Sequence, residues 1–281
     1  MTMRMRIPAS FILALAMALP AYAILPGISS SSVSGNTVSL SIALPGSLGA
    51  DVTLTFEDVT GLSLTNLGVS VHVINPLDPA LLARLPGGSV PAAAFPVLLR
   101  IEPPSTGGLS FSGVASLRIH THNLQYTATT PLRIFSAPLG GAFKDVTASM
   151  GSGSYRARST TGGFSEFLIV SEGRTVDQVI VEKFDRLEAL LEGYEGTMSS
   201  ALYDDLEELL EAARAEYVQG DTLDAIQEVD EFIELVEDNS GGTGIPNVWR
   251  SARDLTNAAG YLRAGAMTLD FSLALKHSSG Q

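Results

Sequence analysis

The chain reads as α+β in two domains, an antiparallel β-sandwich followed by an antiparallel four-helix bundle. Three observations predict this. Apolar and polar residues alternate with period two across residues 37–170. Beyond Gly173 the period changes to 3.6. The charge changes at the same place: residues 24–170 hold seven acidic and seven basic side chains, whereas residues 171–244 hold 21 acidic and four basic ones.

The 281 residues divide into a leader (1–23), a sandwich (24–172), a helical module (173–265) and a tail (266–281). In the leader, Arg4 and Arg6 form a basic n-region. An apolar run from Ile7 to Pro20 follows, and Ala21-Tyr22-Ala23 is a small-x-small cleavage signal. That run is shorter than the ~20 apolar residues a membrane span needs. The expectation is a signal peptide cut after Ala23. The exported protein would be periplasmic or extracellular, with no stable membrane span after cleavage.

Strands come first. Val38, Leu40, Ile42 and Leu44 alternate with Thr37, Ser39, Ser41 and Ala43. Val52, Leu54 and Phe56 repeat the pattern, as do Val69, Val71 and Val73. Further strands are predicted over 97–101, 115–120, 132–135, 155–159 and 164–170, with Pro, Gly, Ser and Asn between them. Short strands without a helical period between them favour a sandwich. In the longer loop 75–96, Asp78 is placed to cap a short helix with Pro79 in its first turn. Pro86-Gly87-Gly88 stops that helix, and residues 89–95 read as an exposed connection.

Four stretches within 37–170 carry a family resemblance. They are Val97-Leu98-Leu99-Arg100-Ile101-Glu102-Pro103, Pro131-Leu132-Arg133-Ile134-Phe135, Gly141-Ala142-Phe143-Lys144-Asp145-Val146-Thr147 and Phe164-Ser165-Glu166-Phe167. In this order they resemble the ZU5-like β-sandwich, a module of ankyrins and of some bacterial surface proteins. Some members of that family cleave themselves between Phe and Ser of a His-Phe-Ser motif. This chain keeps Phe164 and Ser165 but has Gly163 at the histidine position. A serine needs an adjacent base to act as nucleophile, so the stretch reads as a packed terminal strand.

Helices follow. Over 177–192, Ile180, Phe184, Leu187 and Leu191 share a face, with Thr175 or Asp177 as cap. Over 199–218, Leu202, Leu206, Leu209, Ala213 and Tyr217 face inward. Gln219-Gly220-Asp221 stops that helix and starts a third, with Ile226, Val229, Phe232, Ile233 and Val236 inward. A fourth is predicted from Pro246, with Val248, Ala252, Leu255, Ala259 and Leu262 aligned and Trp249 as a core anchor. Short connections make these an antiparallel bundle. Gly220-Asp221-Thr222-Leu223-Asp224-Ala225-Ile226, leading into Phe232-Ile233-Glu234-Leu235-Val236, resembles the FIMAH domain of bacterial secreted proteins. The resemblance implies an accessory or surface-associated role. In the tail, Met267, Leu269, Phe271, Leu273 and Leu275 alternate with polar or small residues, the period of a strand.

Little chemistry is legible. With no cysteine, disulfides, thiolate metal sites and cysteine nucleophiles are excluded. Gly-x-Ser-x-Gly, His-Glu-x-x-His and phosphate-cradling loops are missing, and no cofactor motif is found. The acidic balance argues against nucleic acid as a partner. His120 and His122 lie two apart on a strand, so both point to one face and form a candidate metal pair. A third ligand is not adjacent in sequence, so they read as an ordinary polar pair. Asp204, Asp205, Glu207, Glu208, Glu211, Asp224, Glu228, Asp230, Glu231 and Glu234 read as a solvated face that attracts divalent cations without a specific site. The expectation is an exported, non-catalytic structural or adhesive protein with a protein or cell-surface partner. One alternative is a carbohydrate- or partner-binding accessory module. The other is an enzyme assembled from distant residues: His120, His122, Glu102 and Asp145.

Overall fold

The computed structural model describes residues 26–127, 129–151 and 154–279. The predicted signal peptide and its cleavage point lie outside the described residues, as do Ser152 and Gly153. The chain is α+β, with two antiparallel sheets and its long helices after them.

A meander of β1 (Ile28–Ser34), β2 (Thr37–Leu44) and β3 (Leu48–Thr60) opens the fold. The alternation in β2 and β3 buries Val38, Leu40, Val52, Leu54 and Phe56 and turns Ser39, Asp51 and Thr55 outward. β1 is an edge strand, exposed beyond Ile28, and its serine run carries no periodic signal. Helix α1 (Leu64–Leu67), capped by Ser63, leads to β4 (Val69–Val73). Helix α2 (Pro79–Leu82) has Asp78 as its cap and Pro79 in its first turn, as the sequence predicts. Then come β5 (Val90–Pro91), β6 (Val97–Ile101), β7 (Ser110–Gln125), β8 (Leu132–Ala137), β9 (Lys144–Asp145), β10 (Thr147–Gly151), β11 (Ser154–Thr161) and β12 (Glu166–Ser171). The helical part consists of α3 (Val176–Tyr194), α4 (Ser200–Gln219), α5 (Thr222–Asp238), a strand β13 (Val248–Arg250), and α6 (Ala258–Ser279).

Among the described residues, one sheet has the order β1-β2-β3-β7-β11-β10, with β13 added to β7. The other has the order β4-β6-β12-β8-β9, with β5 added to β12. Residues from both sheets share one apolar core, including Val52, Phe56, Leu117, Ile134, Phe167 and Ile169. β12 is buried on both faces, because Leu168 and Val170 join Leu81, Leu85, Phe135 and Phe143 in a second cluster. This corrects the reading of residues 89–95 as an exposed connection. Ser89, Pro91, Ala92 and Phe95 are buried, because β5 pairs with β12 and Phe95 enters the core.

Thr175 caps α3 in a capping box with Gln178. Gly220, at φ 96°, ends α4 in the left-handed region. Ile180, Phe184, Leu187 and Leu191 of α3 are buried as predicted. On α4 the buried position is Leu210 rather than Leu209. α6 packs on α3 and α5, and also on β7, β10 and β11.

Two C-terminal expectations are overturned. No helix starts at Pro246. Instead β13 pairs with β7, and Trp249 stacks on Phe111 and meets Phe164 edge-on in the core. Leu255, predicted inward, is exposed. Through Ser279 the tail is not a strand but the second half of α6. Its apparent alternation comes from burial on two sides: Leu262, Leu269 and Leu273 pack among the helices, while Thr268 and Ser272 bond the buried Lys183 and Thr268 also bonds β10. A helix buried on two sides loses the one-sided 3.6 signature.

Candidate functional site

On β7, His120 and His122 are two residues apart, and the pleat points both away from the core. The register of β3 on β7 sets Asp51 directly opposite His120. Ser41 on β2 opposes Asp51, and Arg156 on β11 opposes His120. A polar row, Ser41–Asp51–His120–Arg156, therefore crosses four strands on the outer face of the sheet. Behind it, Ala50, Val52, Ile119 and Thr121 are buried.

Asp51 and His120 of this row converge with His122, two residues along β7. His122 Nε2 stands 3.0 Å from Asp51 Oδ2, and His120 Nδ1 stands 3.8 Å from the same oxygen. The two rings are 5.5 Å apart, centre to centre. One ligand-type atom from each of Asp51, His120 and His122 lies within 4.8 Å of the others. Ser41 Oγ donates to Asp51 Oδ1 at 3.0 Å, which orients the carboxylate. His120 Nε2 is bonded to Ser154 Oγ, so Nδ1 is the nitrogen that faces the cluster. Gly49 leaves room for His122, whose ring lies where a β-carbon at 49 would crowd it. The hydrogen bond from His122 holds the Asp51 carboxyl below the usual range, helped by Ser41 and opposed by burial. Burial, then the charge of Arg156, lowers His120. At neutral pH the cluster thus offers an ionised carboxylate and a neutral imidazole, the protonation states that metal ligands require.

The sequence pairs His120 with His122, and the fold keeps them together. Asp51 is the addition, seventy residues away and invisible without the strand register. Its outward place in the β3 alternation is the only sequence signal it carries. Glu102 and Asp145 do not join. Glu102 is a half-buried residue 3.9 Å from Arg253. Asp145, 1% exposed, forms an ion pair with Lys183 of α3 at 2.9 Å. Burial pushes the Asp145 carboxyl up, but Lys183 and bonds from Thr147 outweigh it and hold it low. Lys183 also donates to the Thr268 carbonyl and to the hydroxyls of Thr268 and Ser272 on α6.

The Phe164–Ser165 pair is spent on packing. The Ser165 hydroxyl lies 2.8 Å from that of Ser136. Glu166 is buried and salt-bridged to Arg84 and Arg100, which ties residues 84 and 100 to β12. Gly162 and Gly163 receive the first turn of α6: β-carbons there would overlap the backbone of Gly260 and Tyr261 and the Tyr261 hydroxyl. Asn257 completes the joint. Its Nδ2 donates to the carbonyls of Gly113 and Gly162, and its Oδ1 accepts from Gly260 N. Arg263 bridges Glu57 of β3 and Glu237 of α5, at 3.0 Å to each.

The ten carboxylates read as a solvated face are exposed, except for the half-buried Glu228. No helix among the described residues is long and apolar enough to cross a membrane.

These features define a class: an α+β protein whose helices are joined to its sheet by buried polar contacts, with a histidine–aspartate cluster on that sheet's outer face. Residues 11–277 match the family described as Family of unknown function (DUF6689), and the chain belongs to that family. No curated protein matches it.

Proposed function

We propose that this is an exported, non-catalytic protein of the cell envelope or exterior that works by holding a protein or cell-surface partner. In this reading the two sheets form a ZU5-like β-sandwich, and α3 to α6 form a FIMAH-like four-helix module fixed to it. One observation carries the reading. Buried charged groups, including the candidate Asp145, are committed to structural cross-links. Asp145 holds Lys183, Glu166 holds Arg84 and Arg100, and Arg263 ties β3 to α5.

Such joints fit a protein that presents a surface of fixed shape. The acidic outer faces of α4 and α5 supply a strongly negative side to it. A partner with a basic patch would be steered toward that side.

The test is fractionation of cells producing the full chain, followed by cross-linking. The expected protein begins at Ile24, lies outside the cytoplasm, and is captured in a specific complex with another envelope component. A cytoplasmic protein that retains residues 1–23 overturns the reading.

A further inference from the structure

The geometry points to a surface site for a divalent first-row metal ion of the Zn²⁺/Co²⁺ class, held by His120 Nδ1, His122 Nε2 and Asp51 Oδ2.

The ligand set comes first. Imidazole nitrogens and a carboxylate oxygen suit Zn²⁺, Co²⁺, Ni²⁺ and Cu²⁺. Hard oxygen-seeking ions such as Ca²⁺ and Mg²⁺ take oxygen ligands instead. Three protein ligands with an open fourth position is the arrangement of Zn²⁺ sites that keep a water or take a further ligand.

The spacing agrees. Ligand atoms about 2.0–2.1 Å from a tetrahedral Zn²⁺ stand about 3.3 Å from one another. The Asp51 oxygen is 3.0 Å from one histidine nitrogen and 3.8 Å from the other, which brackets that separation. The ligand atoms all lie within 4.8 Å of one another, and side-chain rotation on the outer face of the sheet brings all three into place.

The support is built in. All three ligands sit on adjacent strands inside the sheet: Asp51 and His120 pair directly in the ladder between β3 and β7, and His122 follows its last pair, Ala50–Thr121. Two of the ligands have a second contact. Ser41 donates to the free oxygen of Asp51, and Ser154 bonds the far nitrogen of His120. Gly49 leaves the space that the His122 ring occupies. Outer contacts of this kind orient metal ligands and raise their affinity. The ion offsets the charge of Asp51, and its open position faces solvent, where a side chain or carboxylate of a partner can complete it.

The test uses the full chain, produced without a polyhistidine tag and stripped of metal. Co²⁺ is titrated while the visible spectrum is recorded, and Zn²⁺ is then used to displace it. One equivalent should bind with the intense bands of a four-coordinate site. His120→Ala and His122→Ala should each abolish those bands, as should the more conservative His120→Gln and His122→Gln. Asp51→Asn should weaken binding. Ser41→Ala should weaken it about 10-fold, the scale of an outer contact. His72→Ala, on β4 of the other sheet, should bind as the parent does. Far-ultraviolet circular dichroism of each variant should match the parent, because the substituted side chains lie on the surface. Two results overturn the proposal: octahedral or substoichiometric Co²⁺ in the parent, or unchanged spectra in a folded His120/His122 double variant.

Discussion

The Tyr261 hydroxyl occupies the space that a side chain at Gly163 would need. The position at which the ZU5-like resemblance places a histidine is therefore filled by a residue from the other end of the chain. Gly163 serves the docking of α6 on β7 and β11.

Gly163→His is therefore a packing lesion. A side chain there must displace Tyr261 or shift the first turn of α6. Overpacking of this kind costs about 1–3 kcal/mol. The expected result is a lower midpoint in urea, with part of the loss recovered in Gly163→Ala paired with Tyr261→Ala. The parent chain should keep its intact mass on prolonged incubation. A break between Phe164 and Ser165 would reverse the view of this strand as a packing element.

Lys183 and Asp145 join α3 to the sheet edge through a fully buried ion pair. Burial pushes the lysine ammonium down to about 8, while Asp145 pulls the other way. Removing one partner strands a charge in the core and costs about 3–5 kcal/mol. Lys183→Met and Asp145→Leu should each show that loss in equilibrium unfolding. The double variant should be far more stable than the sum of the two losses predicts, because neither charge is then left alone. Strict additivity would show that the pair is not coupled.

Asp270, in the middle of α6, is half-buried. Burial, and then the charge of Asp230, push its carboxyl up to about 6. The folded state thus holds the proton more tightly than the unfolded chain does. This favours folding at low pH and is lost as the pH rises from about 4 through 6. Above that range the ionised group opposes folding. Asp270→Asn should raise the melting temperature by a few degrees near pH 8 and have little effect near pH 4, since a protonated acid and an amide are both neutral. A gain of equal size at both pH values would point to a cause other than charge.

Much of the secondary structure is legible in the sequence. Val38 to Phe56 and Ile180 to Leu191 reveal their elements because each buries a single face, and single-face burial imposes a period on the residues. Signals fail where that condition fails. The serine run of β1 pairs at an edge with little to bury. α6 is buried toward both helices and sheet, so its apolar residues wrap around it and mimic a strand. Trp249 reads correctly as a core anchor, but on a strand rather than a helix, since only β7 could offer its partner edge.

The sequence by itself determined the α+β class, the order of strands before helices, the acidic character of the helices, and the shared face of His120 and His122. Those properties follow from local periodicity and composition. Tertiary structure alone decided that Asp51 meets those histidines and that Asp145 meets Lys183. It also set the first turn of α6 on Gly162 and Gly163. Each of these depends on strand register or on the packing of elements distant in the chain, which no local pattern encodes.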